Sequence, residues 1–71
     1  MIKRSIEDTS IVFIGAGNLA TNLAHAFYRK GFRVVQIYSR TEDSARTLAQ
    51  AVEADYTTSL ASVVPDAQLY I

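Results

Sequence analysis

The residues best suited to chemistry are a glycine-rich stretch, GAGNLA, at positions 15–20, which directly follows the apolar run 11–14. A strand-like run that leads into G-x-G-x-x-(G/A), with helical periodicity straight after, is the context in which this string binds dinucleotides. Gly15 would permit the sharp turn, and Gly17 would let the backbone approach a pyrophosphate where a β-carbon would collide. Ala20 is a permitted variant of the third position, because it still allows helix and strand to pack closely.

Further donors lie at the start of the predicted first helix. The backbone N–H groups of Asn18 and Leu19 have no acceptor within a helix and would face the phosphates, and the Asn18 side chain would add a donor. The alternative is a strand-turn-helix junction that needs its two glycines for geometry alone.

A second group of polar residues, Ser39, Arg40 and Thr41, indicates which dinucleotide would bind. In NAD-binding domains a carboxylate about 20 residues after the glycines accepts the ribose hydroxyls, whereas an arginine suits the 2′-phosphate of NADP. No Asp or Glu occurs between Gly17 and Glu42. Hydroxyls and a guanidinium donate to a phosphate, and Arg40 can also stack on the adenine face. We therefore predict NADP as the cofactor and disfavour NAD.

The same residues have a simpler interpretation. Arg40 would then be a solvated loop cation, and Ser39 and Thr41 would be a capping pair for the next helix. The carboxylates of Glu42 and Asp43 would repel a phosphate bound nearby. Acidic residues are nevertheless favourable in the first turn of a helix, so their presence there needs no ligand.

The elements that would position these groups alternate as β-α-β-α-β. We predict a first strand over 11–15, because an uninterrupted apolar run is typical of a parallel strand covered on both faces. A first helix follows over 18–30, and Gly31 would supply the left-handed residue that ends it. The apolar stripe of this helix has helical period and consists of Leu19, Ala20, Leu23, Ala24 and Phe27.

The second half of the chain continues the alternation. A run rich in Val, Ile and Tyr predicts a second strand over 34–39, and Thr41 would cap a second helix that runs to about Glu53. The buried stripe of that helix would be Ala45, Leu48, Ala49 and Val52. The remaining elements are a short strand at 55–57, a single helical turn at 59–64, a break at 65–66 and a fourth strand at 67–71.

These elements predict an α/β fold, a partial Rossmann-type doubly wound parallel sheet with strand order 3-2-1-4, truncated in strand 4. The ligand crevice would open between strands 1 and 4. A complete domain of this kind needs on the order of 150 residues. We therefore interpret residues 1–71 as the N-terminal portion of a single dinucleotide-binding domain, with the substrate domain absent, and further chain or partners are implied.

Composition narrows the class of protein. Seven Lys and Arg balance seven Asp and Glu, and without clustered basic residues we expect neither a nucleic acid nor a membrane surface as partner. The chain has no cysteine and one histidine, His25, so we expect no metal site, and helical geometry points His25 toward solvent. Since no apolar stretch approaches the roughly 18 residues of a membrane span and no signal segment is present, we expect a cytoplasmic protein.

The stretches at 14–20, 38–41 and 56–60 resemble the N-terminal cofactor domain of the pyrroline-5-carboxylate reductase-like oxidoreductases. The likeness covers residues 10–71 and is nearest to bacterial members whose C-terminal domain has no assigned function. These motifs are shared with imine reductases, 3-hydroxyacid dehydrogenases and deazaflavin-linked NADP reductases. The resemblance implies that eight residues of this chain contact the cofactor: Gly15, Ala16, Gly17, Asn18, Leu19, Ser39, Arg40 and Thr41.

The resemblance implies that the parent protein transfers a hydride between NADP(H) and a small imine, keto or hydroxy substrate. In such proteins a separate helical domain supplies the substrate and catalytic residues, so the catalytic residues are unknown here, and we expect a homo-oligomer formed through that domain. Two other hypotheses remain. The chain would be an NAD(P)-sensing regulatory module without turnover, or a domain that keeps the fold but no ligand.

Overall fold

A computed structural model describes residues 9–71 of the chain. Its strands are β1 (Ser10–Ile14), β2 (Arg33–Tyr38), β3 (Asp55–Thr57) and β4 (Leu69–Tyr70). Its helices are α1 (Asn18–Arg29) and α2 (Glu42–Ala51), with a short 3-10 turn at Leu60–Ser62. The strands form one parallel sheet in the order β3-β2-β1-β4. This confirms the α/β, Rossmann-type fold and the strand order 3-2-1-4 that the sequence predicts.

One apolar core lies between the sheet and the two helices. Its buried members are Ile11, Phe13, Ala24, Val34, Ile37, Ala45, Leu48, Ala49 and Val52. Val34 and Ile37 both reach this core, although they are three positions apart on β2. The cause is a register shift in the β1–β2 pairing, where Ile11 faces Val34 but Val12 faces Gln36, so Val35 is an extra residue. Gln36 therefore pairs with a strand residue that lies outside the helix-side core.

The end of α1 is built as the sequence predicts. Gly31 has a left-handed backbone with φ +95°, its N–H donates to the carbonyl of Tyr28 at 3.1 Å, and the N–H of Phe32 donates to the carbonyl of Phe27 at 3.0 Å. These two bonds satisfy carbonyls that the helix leaves free. The rings of Phe27 and Phe32 then meet edge to face, with centroids 5.1 Å apart.

The second helix ends earlier than predicted. It stops at Ala51, because Glu53 takes a left-handed backbone with φ +56° and the N–H of Ala54 donates to the carbonyl of Ala49 at 2.8 Å. Leu19 also departs from its predicted place in the buried stripe, since it is 72% exposed. It lies in the first turn of α1, beyond the end of β1, where the core does not extend.

Neither helix in the described part of the chain is long and apolar enough to cross a membrane.

Candidate functional site

The glycine turn at 15–17 and the polar residues at 39–41 meet in one cleft of about 480 Å³ at the carboxyl ends of β1 and β2. Its lining residues are Ile14, Gly15, Ala16, Gly17, Tyr38, Ser39, Arg40, Thr41 and Ser44. The glycine turn is tied to β2, because the N–H of Gly15 donates to the carbonyl of Tyr38 at 2.7 Å. On the other side, the N–H of Ile14 donates to the carbonyl of Ile71 at 2.6 Å. The cleft that these residues form thus lies over β1 and β2, whereas the sequence placed the crevice between β1 and β4.

The two glycines of the turn have different structural needs. Gly15 has φ +130°, a backbone that side chains rarely adopt. Gly17 has φ −77° and ψ −172°, an ordinary extended backbone, and a β-carbon added there would meet nothing within 4 Å. Backbone geometry alone therefore explains why residue 15 is a glycine, but it does not explain the glycine at position 17. The open space in front of Gly17 is the place where the predicted pyrophosphate would approach the backbone, so the turn fits a dinucleotide.

The start of α1 offers unpaired donors beside this space. Gly17 is the N-cap residue, no side chain caps the helix, and its first turn holds no acidic residue. The first helical bond runs from the N–H of Thr21 to the carbonyl of Gly17 at 2.8 Å, so the amides of the preceding turn have no acceptor within the helix. Asn18 and Leu19 belong to that exposed turn and border the cleft without lining it. Their contact with a cofactor stays a prediction.

The second group of residues lies across the cleft from the glycine turn. Thr41 occupies the N-cap position of α2 as predicted, but its side chain forms no capping hydrogen bond. The Ser39 hydroxyl accepts a long hydrogen bond of 3.4 Å from the N–H of Thr41. Arg40 is exposed, and the ion pairs found within residues 9–71 do not include it. Thr41 therefore lacks the capping bond that the simpler interpretation expects, whereas the exposed Arg40 fits both a solvated loop cation and a phosphate contact.

The carboxylates that follow are compensated by another arginine. Arg46 lies 2.6 Å from Asp43 and 3.3 Å from Glu42, and the hydroxyl of Tyr56 donates to Glu42 at 3.3 Å. Hydrogen bonding to Tyr56, and then to Asp43, raises the pKa of Arg46 above its ordinary value. Since Arg46 offsets the negative charge of Glu42 and Asp43 within α2, these residues are a weaker objection to a phosphate beside Arg40.

Some residues at the site escaped the sequence prediction. Tyr38 and Ser44 line the cleft, and no sequence signal identifies Ser44, because the rotation of α2 on the sheet places it there. His25 is half-buried rather than solvent-facing. It lines a groove of about 370 Å³ between α1 and α2, which shares Ala16 and Ser44 with the cleft.

The domain is a dinucleotide-binding domain of Rossmann type. This class is defined by the parallel strands in the order β3-β2-β1-β4, the glycine turn after β1 and the cleft at the carboxyl ends of the strands. Residues 10–71 match the protein family described as NADP oxidoreductase, coenzyme F420-dependent, and the chain belongs to this family. The narrower likeness to pyrroline-5-carboxylate reductases stays a prediction.

A solved structure supports the same assignment. The crystal structure of a candidate NADP oxidoreductase from Bacteroides fragilis is 77% identical in sequence and superposes with a TM-score of 0.91. The match covers 93% of this chain and 26% of that chain, so the present chain spans about a quarter of that protein's length. No curated protein matches the chain at a significant level.

Proposed function

We propose that the cleft binds the adenosine half of NADP(H) in an oxidoreductase that transfers a hydride between this cofactor and a small imine, keto or hydroxy substrate. The observation that carries the proposal is the meeting, in one cleft, of an open backbone at Gly17 with the guanidinium of Arg40. When bound, the cofactor supplies the hydride. The residues of this chain bind and orient it.

The pyrophosphate would lie against the turn at Gly15, Ala16 and Gly17. The amides of Asn18 and Leu19 stand at the positive end of the α1 dipole, and the first turn of that helix carries no acidic side chain to oppose an anion. Gly17 would make the closest approach, because a β-carbon on it would occupy the open space in front of the turn.

The 2′-phosphate would lie against Ser39, Arg40 and Thr41. No carboxylate lines the cleft among the described residues, so the site lacks the acceptor that NAD-binding domains use for the ribose hydroxyls. Two hydroxyls and a guanidinium are donors that suit a phosphate dianion. This chemistry favours NADP over NAD.

Titration calorimetry with NADPH and NADH tests the proposal. We expect NADPH to bind more tightly than NADH, and Arg40→Ala to weaken NADPH by about 1 to 3 kcal/mol because a charge-assisted bond is lost. Binding of NADH to this variant should be nearly unchanged. Arg33→Ala is the matched control, since Arg33 is an exposed arginine at the opposite end of the same strand. Tighter binding of NADH, or no binding of either cofactor at millimolar concentrations, would overturn the proposal.

In this proposal the substrate-binding and catalytic groups belong to a further domain. The Bacteroides fragilis protein leaves room for one, because the match covers only 26% of its chain. The protein would work as a homo-oligomer in the cytoplasm, with a small molecule as its substrate.

A further inference from the structure

Gln36 is the buried polar side chain of the described residues, with 6% of its surface exposed. The register shift at Val35 pairs it with Val12 of β1, which is fully buried but does not belong to the core under α1 and α2. Burial of an amide is unfavourable unless its donor and its acceptor are both satisfied. The hydrogen bonds of the Gln36 side chain therefore identify the part of the fold that this residue holds in place.

Both ends of the Gln36 amide bind one short segment of backbone. Its Nε2 donates to the carbonyl of Ser62 at 3.1 Å, and its Oε1 accepts from the N–H of Val64 at 2.8 Å. The pair of bonds needs a side chain that donates and accepts at once, which an amide does and a carboxylate or an apolar group does not. Gln36 thus ties the connection that precedes β4 to the middle of β2.

Tyr70 holds the same segment from the other side of β1. Its hydroxyl donates to the carbonyl of Val64 and accepts from the N–H of Ala67 at 3.1 Å. The backbone of Val64 is therefore held through its N–H by β2 and through its carbonyl by β4, the two strands that flank β1. We call these contacts of Gln36 and Tyr70 the Val64 clamp.

The clamp acts on the shortest strand of the sheet. β4 has two residues, Leu69 and Tyr70, which pair with Ile11 and Val12 of β1, and the N–H of Gln68 donates to the carbonyl of Ser10 at 3.1 Å before them. A ladder this short gains little register from its own pairs, so contacts outside it matter more. Beyond it, the N–H of Ile71 donates to the carbonyl of Val12 at 2.9 Å and the carbonyl of Ile71 accepts from Ile14 at 2.6 Å. Ile14 lines the cleft directly before the glycine turn.

We propose that Gln36 is a positioning residue for the cofactor cleft. By fixing the Val64 clamp it sets the register of β4 on β1, and the bond between Ile71 and Ile14 then holds the entry to the glycine turn. The functional part of this inference rests on the proposed function, whereas the effect on register does not.

The test combines Gln36→Leu with two measurements on the folded protein. Leucine has a similar size but removes both hydrogen bonds, so amide hydrogen exchange at Val64 and Ile71 should become about tenfold faster, as expected for a lost hydrogen bond. The Kd for NADP⁺ should rise by a similar factor at a temperature where circular dichroism shows the variant folded. Gln50→Glu, on the exposed side of α2, is the control and should change neither quantity.

Gln36→Glu separates positioning from a general loss of stability. A protonated carboxyl can donate to Ser62 and accept from Val64, but an ionised one has no donor, and burial raises the pKa of such a carboxyl. We expect this variant to bind NADP⁺ like the wild type at about pH 5 and like Gln36→Leu at about pH 8. A merely structural role would lower the unfolding midpoint and leave the Kd of the folded protein unchanged.

An unchanged Kd for NADP⁺ in folded Gln36→Leu, or unchanged exchange at Ile71, would overturn the inference. If the wild type itself fails to bind NADP⁺, the proposed function fails, and exchange at Val64 and Ile71 still decides whether Gln36 sets the register of β4.

Discussion

Two glycines of one motif are required for different reasons. Gly15 turns the chain out of β1 with φ +130°, and this requirement exists whether or not a ligand binds. Gly17 has a backbone that any residue adopts and open space in front of it. Nothing in the described protein excludes a side chain at Gly17, and the proposed pyrophosphate at this turn would supply a reason for glycine there.

Substitution by alanine separates the two requirements. Gly17→Ala should change the free energy of unfolding by less than about 1 kcal/mol, because the restriction that alanine places on the unfolded chain opposes its lower preference for the N-cap position. The same change should weaken NADPH at least about tenfold, since the methyl group occupies the space of the pyrophosphate. Gly15→Ala is the matched control and should lower the free energy of unfolding by about 1 to 2 kcal/mol. Urea unfolding and calorimetry measure both effects. Wild-type affinity for NADPH in Gly17→Ala would contradict this account.

The sequence predicts the cleft residues that lie in motifs, and misses those that only the packing brings there. The spacing of Gly15 and Gly17 carries its own context of strand and helix, and Arg40 follows a recognisable strand end. Ser44 faces the cleft only because of how α2 is rotated on the sheet, which apolar periodicity fixes for the buried side alone. Leu19 fits the helical stripe but lies beyond the end of the core, and that end is set by tertiary structure.

At the scale of elements, both helices end with a backbone hydrogen bond that reaches back five residues and a residue of positive φ. Only the end of α1 can be predicted from its residue types. Gly31 is a residue type that predicts a left-handed position, and the prediction is correct. Glu53 takes the same role with φ +56° without any such signal. A non-glycine residue in this conformation is held there by its surroundings. The contact that ties Glu53 to the rest of the fold is a hydrogen bond from the hydroxyl of Tyr28 on α1.

The Tyr28–Glu53 bond makes stability depend on pH in the alkaline range. The hydrogen bond to Glu53, followed by desolvation, raises the pKa of Tyr28 above its ordinary value of 10.0. The folded state thus holds the phenolic proton more tightly than the unfolded state, so the stabilisation is complete below pH 10.0 and is lost as pH rises through the raised pKa. Wild type should therefore lose its advantage over Tyr28→Phe above that pH in urea unfolding. A difference that stays constant or grows with pH would contradict the bond.

At the scale of the whole molecule, topology follows from the alternation of elements, whereas register does not. Right-handed crossovers and the order of strands along the chain suffice to predict β3-β2-β1-β4. The extra residue at Val35 has no signature in a run of apolar residues, and it decides that Gln36 faces away from the helix-side core. The Val64 clamp depends on this shift and could not be predicted from residue types.

The cleft joins the ends of two strands and the start of a helix, so a bound ligand should oppose unfolding of the whole molecule. A ligand that binds only the folded state at 100 times its Kd adds about 2.7 kcal/mol.

Adenosine 2′,5′-bisphosphate is the sharpest probe of this effect, because it carries the 2′-phosphate without the nicotinamide. We expect it to raise the urea midpoint more than adenosine 5′-monophosphate does at equal concentration, because only the bisphosphate carries the 2′-phosphate to which Ser39, Arg40 and Thr41 would donate. Arg40→Ala should abolish the difference between the two nucleotides, and Arg33→Ala should preserve it. Equal midpoints with both nucleotides in the wild type would mean that the cleft does not distinguish the 2′-phosphate, and the preference for NADP would have to arise outside residues 9–71.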